Sequence, residues 1–128
     1  MNRNFAITNA VFFEFCGETI DARELLLVRF QPGQVPAVEM LWKIQGSNQQ
    51  IEVVFHQVTD FKISGRDEGY PPESGAMLGI AGFSDGNPDT LEPELYLEPT
   101  SEMNYITFFM NDRSSISIKA NAASMRRL

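Results

Sequence analysis

Along "SSISIKA", Ile116 and Ile118 alternate with Ser115, Ser117 and Lys119, the period-two pattern of a half-buried strand. Most other apolar segments are short and β-like. Ala10–Cys16 ("AVFFEFC") is apolar and aromatic, and Glu24–Phe30 ("ELLLVRF") stops before the turn signal "QPGQ". Ala37–Ile44 and Gln50–His56 flank "QGSNQ" and predict a hairpin. Asn104–Met110 and Ser114–Ala120 flank "NDRS" and predict another. Phe61–Ser64, Ala76–Phe83 and Glu94–Glu98 continue the series.

One segment pulls the other way. In "IDARELLL", Asp21 precedes Glu24 with capping-box spacing, and Ile20 and Leu25 are placed as a hydrophobic staple. Yet Leu25, Leu26, Leu27, Val28 and Phe30 would crowd the whole circumference of a helix, and Pro32 would end it quickly. We read a strand here. The tail "NAASMRRL" is expected to form a helical turn or to fray. Gly65–Gly75 is the loosest stretch, because Pro71 and Pro72 cannot donate backbone hydrogen bonds and favour an extended course. Short strands separated by Gly, Pro and Asn clusters predict an all-β fold, an antiparallel sandwich or partly closed barrel with at most one or two short helices.

At 128 residues the chain is expected to form a single domain, residues 1–128. A domain of that size buries roughly two-thirds of its unfolded surface, so neither a disulfide nor a metal is needed as a staple. The lone Cys16 allows no intrachain disulfide and fits a reducing compartment. Arg3 could open a leader, but Thr8, Asn9 and Glu14 interrupt the apolar stretch and no small-residue cleavage site follows. No run approaches the roughly 18 apolar residues of a membrane helix. The expectation is a soluble cytoplasmic protein.

Charge changes the picture more than composition does. The formal net charge is −7, and it is unevenly placed. From Asp67 through Asp112 there are ten acids and no lysine or arginine: Asp67, Glu68, Glu73, Asp85, Asp89, Glu92, Glu94, Glu98, Glu102 and Asp112. Gathered on one face, such charge gives a sizeable negative potential. It repels nucleic acid and anionic membrane, which both reward clustered bases. It attracts basic proteins. The bland alternative is solubility alone, and Arg113, Lys119, Arg126 and Arg127 could fold back over the acids.

Within this span, "EPELYLEP" alternates Leu95 and Leu97 with Glu94, Tyr96 and Glu98, bracketed by Pro93 and Pro99. Charges and prolines of this kind protect an exposed edge strand. A tyrosine between carboxylates also offers an apolar body and charged flanks to an Arg-rich partner. The candidate binding residues are therefore Asp67, Glu68, Glu73, Asp85, Asp89, Glu92, Glu94, Tyr96, Glu98 and Glu102.

"SDGNPDTLEPE" resembles a calcium loop at first, with Asp85, Asn87 and Asp89 at alternate positions. An EF-hand loop needs Gly at its sixth position and Glu at its twelfth, where this chain has Thr90 and Tyr96. Asp-Gly and Asn-Pro are turn-formers in their own right. One Cys and one His cannot make a usual closed zinc site. Cys16 and His56 would form an activated thiolate pair only if they met in space, and neither lies in a nucleophile motif. "GIAGFSDG" is glycine-rich, but no helix follows and no base lies near to meet phosphate. We expect no catalytic residues, no metal and no cofactor. Trp42, in a strand between Leu41 and Lys43, reads as core.

"IEVVFHQVTDFKISG" and "YITFFMNDRSSISIKA", within Ile51–Gly65 and Asn104–Ala120, give an arrangement that resembles small bacterial immunity-type proteins of polymorphic toxin systems. The resemblance implies a compact β-rich cytoplasmic domain that binds and neutralises a cognate toxin. The leading expectation is thus a non-enzymatic protein-binding domain with a basic protein partner. A small β-fold carbohydrate-binding or carboxylate-dependent enzyme domain, with Trp42, Tyr70 or Tyr96 lining a cleft, is the first alternative, and a structural or assembly subunit is the second.

Overall fold

The computed structural model describes residues 2–6, 23–44, 46, 48–65, 77–87, 96 and 100–128. Among these the regular elements are nine strands: β1 (Asn2–Ala6), β2 (Arg23–Gln31), β3 (Ala37–Ile44), β4 (Gln50–His56), β5 (Asp60–Ser64), β6 (Leu78–Ser84), β7 (Tyr105–Met110), β8 (Ser115–Lys119) and β9 (Ala122–Arg127). They form a five-stranded sheet, β1-β9-β4-β3-β2, and a four-stranded sheet, β5-β8-β7-β6. Every pairing is antiparallel. The fold is all-β, as the patterning predicts, and it is two packed sheets rather than a closed barrel.

Alternation makes the strands. Along β3, Val38, Met40, Trp42 and Ile44 are buried while the residues between them are half-buried. In β4, Ile51, Val53 and Phe55 repeat the pattern. The hairpin between them closes around Gly46 at φ 79°, with the Ile44 N–H donating to the Gln49 carbonyl at 3.0 Å. The second expected hairpin, β7–β8, turns at Asn111–Ser114 with Arg113 at φ 66°. There the Asp112 carboxylate accepts from the Ser114 N–H at 2.9 Å and from the Ser114 hydroxyl.

The sheets meet on aromatic contacts. Phe108 of the smaller sheet lies 5.6 Å from Trp42 and 6.1 Å from Phe55 of the larger, centroid to centroid, at tilted and edge-on angles. Such arrangements add attraction beyond area alone. Trp42 is fully buried, and its indole N–H finds no acceptor among the described residues.

Two strands depart from expectation. The tail is neither helical nor frayed, but forms β9, paired on both sides by β1 and β4. Local helix propensity in "NAASMRR" is outweighed by these two ladders and by burial of Ala123 and Met125. Asn2–Ala6, which carries no clear strand signal, becomes β1 by pairing along β9. The "IDARELLL" conflict resolves toward strand in β2, and Leu26 sits unpaired at a register shift between Leu25 and Leu27. Ala10–Cys16 lies outside the described residues.

β2 touches the smaller sheet at both of its edges. Glu24 bridges to Met77 ahead of β6, and Phe30 stacks on Phe61 of β5 at 5.9 Å. It therefore runs across that sheet rather than along it, the orthogonal mode of sheet packing. Because Phe108 fills the space between the sheets, Phe108→Ala should destabilise the protein by about 3–5 kcal/mol. Denaturant unfolding checks this, and a loss below about 1 kcal/mol would mean that Phe108 does not join the two layers.

Candidate functional site

The smaller sheet carries the polar chemistry. Its inner face holds Phe83, Ile106, Phe108, Ile116 and Ile118 in the core. On the outer face, register carries Asp60, Lys119, Tyr105 and Ser84 across β5, β8, β7 and β6 in one row. Lys62, Ser117, Thr107 and Gly82 form the next row. In each row the side chains are direct cross-strand neighbours.

The first row centres on Tyr105, whose phenol donates a short hydrogen bond to Asp60 Oδ2. Asp60 Oδ1 accepts from the Phe61 N–H at 2.9 Å. The Lys62 ammonium stands 3.9 Å from Asp60 Oδ2 and 5.1 Å from the Tyr105 ring centroid. Lys119 approaches the same ring at 5.9 Å. Beneath the ring lies Gly86, at φ +75°, where a Cβ would sit 2.8 Å from Tyr105 Cγ. Backbone without a side chain is what lets the ring lie flat there.

The Tyr105 hydrogen bond, the Phe61 N–H and the two lysines hold the Asp60 carboxyl below its ordinary range, against a smaller opposing effect of burial. The same hydrogen bond, with burial and the Asp60 charge, pushes the Tyr105 phenol up to about 12. Tyr105 is thus protonated at neutral pH and suited to holding Asp60 rather than to moving protons. A carboxylic acid catalyst needs the opposite shift from the one Asp60 shows.

A chain of buried hydroxyls joins the two rows. Ser84 Oγ lies 2.6 Å from Thr107 Oγ1, which lies 2.9 Å from Ser117 Oγ. The Gly86 N–H donates to Ser84 Oγ at 3.0 Å. All three side chains are buried. Beside this face, Phe30, Val58, Thr59, Asp60 and Phe61 line an open groove of about 360 Å³.

Of the acidic candidates, Asp85, Tyr96 and Glu102 are described, and they gather at one end of the smaller sheet. Tyr96 pairs with Phe83 on the free edge of β6, giving and receiving backbone hydrogen bonds of 2.9 and 2.8 Å. Its side chain is 42% exposed. Asp85 follows β6 directly and is exposed, with Oδ1 accepting from the Asn87 N–H at 2.9 Å in an Asx turn. Glu102 is exposed in the turn before β7, whose first residue pairs with Ser84. Asp67, Glu68, Glu73, Asp89, Glu92, Glu94 and Glu98 lie outside the described residues, as do Cys16 and Tyr70. Asp112 belongs to the acid-only span but is buried in its own turn. Arg126 does not fold over the acids; it meets Glu52 on the larger sheet at 3.1 Å.

His56 has a partner that spacing does not reveal. Its Nε2 lies 3.0 Å from Ser124 Oγ, across the β4–β9 ladder. A serine–histidine contact alone lacks the orienting acid and oxyanion donors of a hydrolytic triad. Among the described residues no group of three or more His, Cys, Asp or Glu side chains could hold a metal ion, and no helix is long and apolar enough to cross a membrane. The chain matches no protein-family model, no curated protein and no solved structure.

Stability should report the Asp60–Tyr105 bond at both ends of the pH scale. The Tyr105 contribution is complete below pH 10, the ordinary phenol value, and is lost as pH rises through about 12. The Asp60 contribution is present above its ordinary value and is lost as pH falls through its lowered one. Phenolate absorbance should show one tyrosine ionising late, and Tyr105→Phe should remove that late step; its persistence would refute the assignment. Gly86→Ala, strained in φ and driven into the ring, should cost about 1–3 kcal/mol in an unfolding titration.

Proposed function

We propose that the protein is a non-enzymatic binding domain that engages a basic protein surface through the acidic end of its smaller sheet. The observation that carries this reading is Tyr96. Two backbone hydrogen bonds fix it on the β6 edge, its ring is half-exposed, and Asp85 and Glu102 flank the same end. A rigidly held aromatic at the same sheet end as exposed carboxylates suits an arginine or lysine of a partner. The span from Asp67 to Asp112 adds ten acids and no base, which favours fast encounter with a cationic partner. Toxin neutralisation, as in the immunity-type proteins the chain resembles, is one such role, and the cytoplasm is the compartment that goes with it.

The test is capture of a basic partner, beginning with products of neighbouring genes, at low and high salt. Tyr96→Ala should weaken binding by about 2 kcal/mol or more, as loss of a central anchor does. Asp85→Lys combined with Glu102→Lys should slow association and flatten its salt dependence. A partner that ignores salt and all three substitutions would defeat the proposal.

A further inference from the structure

The outer face of the smaller sheet holds more positive charge than its neighbours compensate. Lys62 and Lys119 approach one aromatic ring at 5.1 and 5.9 Å, and among the described residues the carboxylate that meets them is Asp60, 3.9 Å from Lys62. That carboxylate is already occupied by the Tyr105 phenol and the Phe61 N–H. Among the described residues one ammonium charge is left over, within a chain of net charge −7. Such an island is the reverse of what the chain's overall balance would produce.

A second observation concerns the hydroxyl row. Ser84, Thr107 and Ser117 supply three hydroxyl protons but share only two mutual hydrogen bonds. One proton is therefore left uncommitted, on whichever hydroxyl does not donate within the row. Ser84 already accepts from the Gly86 N–H, which favours a run from Ser84 through Thr107 to Ser117. Such a run puts the spare donor on Ser117, directly across the ladder from Lys62 and two residues from Lys119 on the same face. Ser117 is only 4% exposed.

We propose that Lys62, Lys119 and the Ser117 hydroxyl form a site for a small soluble tetrahedral oxyanion of the phosphate or sulfate type. Three donors from two strands match three oxygens, and lysine serves such anions as a mobile point charge. The anion fixes the polarity of the hydroxyl row by accepting its last proton. Gly86 closes one face of the Tyr105 ring, so both ammonium groups share the other. This site does not rest on the proposed function.

Titrations of isotope-labelled protein with inorganic phosphate and with sulfate, followed by NMR, test it. Sodium chloride at matched ionic strength and vesicles carrying a phosphomonoester headgroup form the other arms. Phosphate and sulfate should give saturable shifts centred on Lys62, Tyr105, Ser117 and Lys119, and chloride should give none. Lys62→Gln with Lys119→Gln should weaken binding at least tenfold, Ser117→Ala should weaken it several-fold, and Asp60→Asn, which removes the competing charge, should tighten it. Equal shifts with chloride, binding only to vesicles, indifference to the lysine substitutions, or weaker binding by Asp60→Asn would each overturn the proposal.

Discussion

The fold depends on one bent ribbon. β4 and β9 pair in the larger sheet, and their continuations β5 and β8 pair in the smaller one. At the corner, residues 57–59 on one strand oppose only residues 120 and 121 on the other. This extra residue lets the inner face stay inner. On the β4–β5 strand the inward positions of both strands are odd-numbered, as at Phe55 and Phe61, with Val58 buried in the corner between them; on the β8–β9 strand they change from even to odd, from Ile118 to Ala123. A ribbon without the step would turn one strand inside out. The corner is held by backbone bonds: Val58 N–H to Pro36, Thr59 N–H to Lys119 and Asn121 N–H to His56. Gln57 takes φ 54° there, and its amide oxygen accepts from the Asn121 side chain.

Sheets that share a ribbon still have edges, and the described edges are defended in different ways. Tyr96 covers part of β6. β5 is five residues long, presents Lys62, and has the outward Phe61 N–H capped by its own neighbour, Asp60. β2 is the longest strand, with Leu26 and Leu27 exposed, but the irregularity at Leu26 and its anchors on Met77 and Phe61 break its regular edge. Each device lowers the tendency to pair with other chains. Asp60 serves two ends at once, shielding β5 and seating Tyr105.

The legible parts of this architecture were the local ones. Turn residues and alternation around "QGSNQ" and "NDRS" mark both hairpins, because each hairpin's register follows from its turn. The crowding of Leu25–Phe30 is enough to choose strand over helix. β9 is obscured because Ala, Ser, Met and Arg carry no β preference, and its place between β1 and β4 depends on partners far away in sequence. Asp60 and Tyr105 are 45 residues apart, and only the corner brings their strands into one sheet. The sheet-end site was partly legible: the alternation around Tyr96 suggests an exposed edge, but nothing local says that Asp85 and Glu102 reach the same end. Nor does spacing reveal that Asp112 turns inward to cap its own loop.

Gly86 ties the two polar regions together. It belongs to the turn that presents Asp85, and it is also the floor on which the Tyr105 ring rests. The ring in turn positions Asp60 and lies beneath both ammonium groups. An acidic turn would ordinarily be free to relax around its own carboxylate. Here the close approach of ring and backbone leaves it little room, so the direction in which Asp85 points is set by the packing of Tyr105. The acidic end and the cationic face are therefore supported by one contact, though they select opposite charges. Each keeps its own charge balance: the lysines have Asp60 at hand, and the segment that carries the exposed acids holds no base.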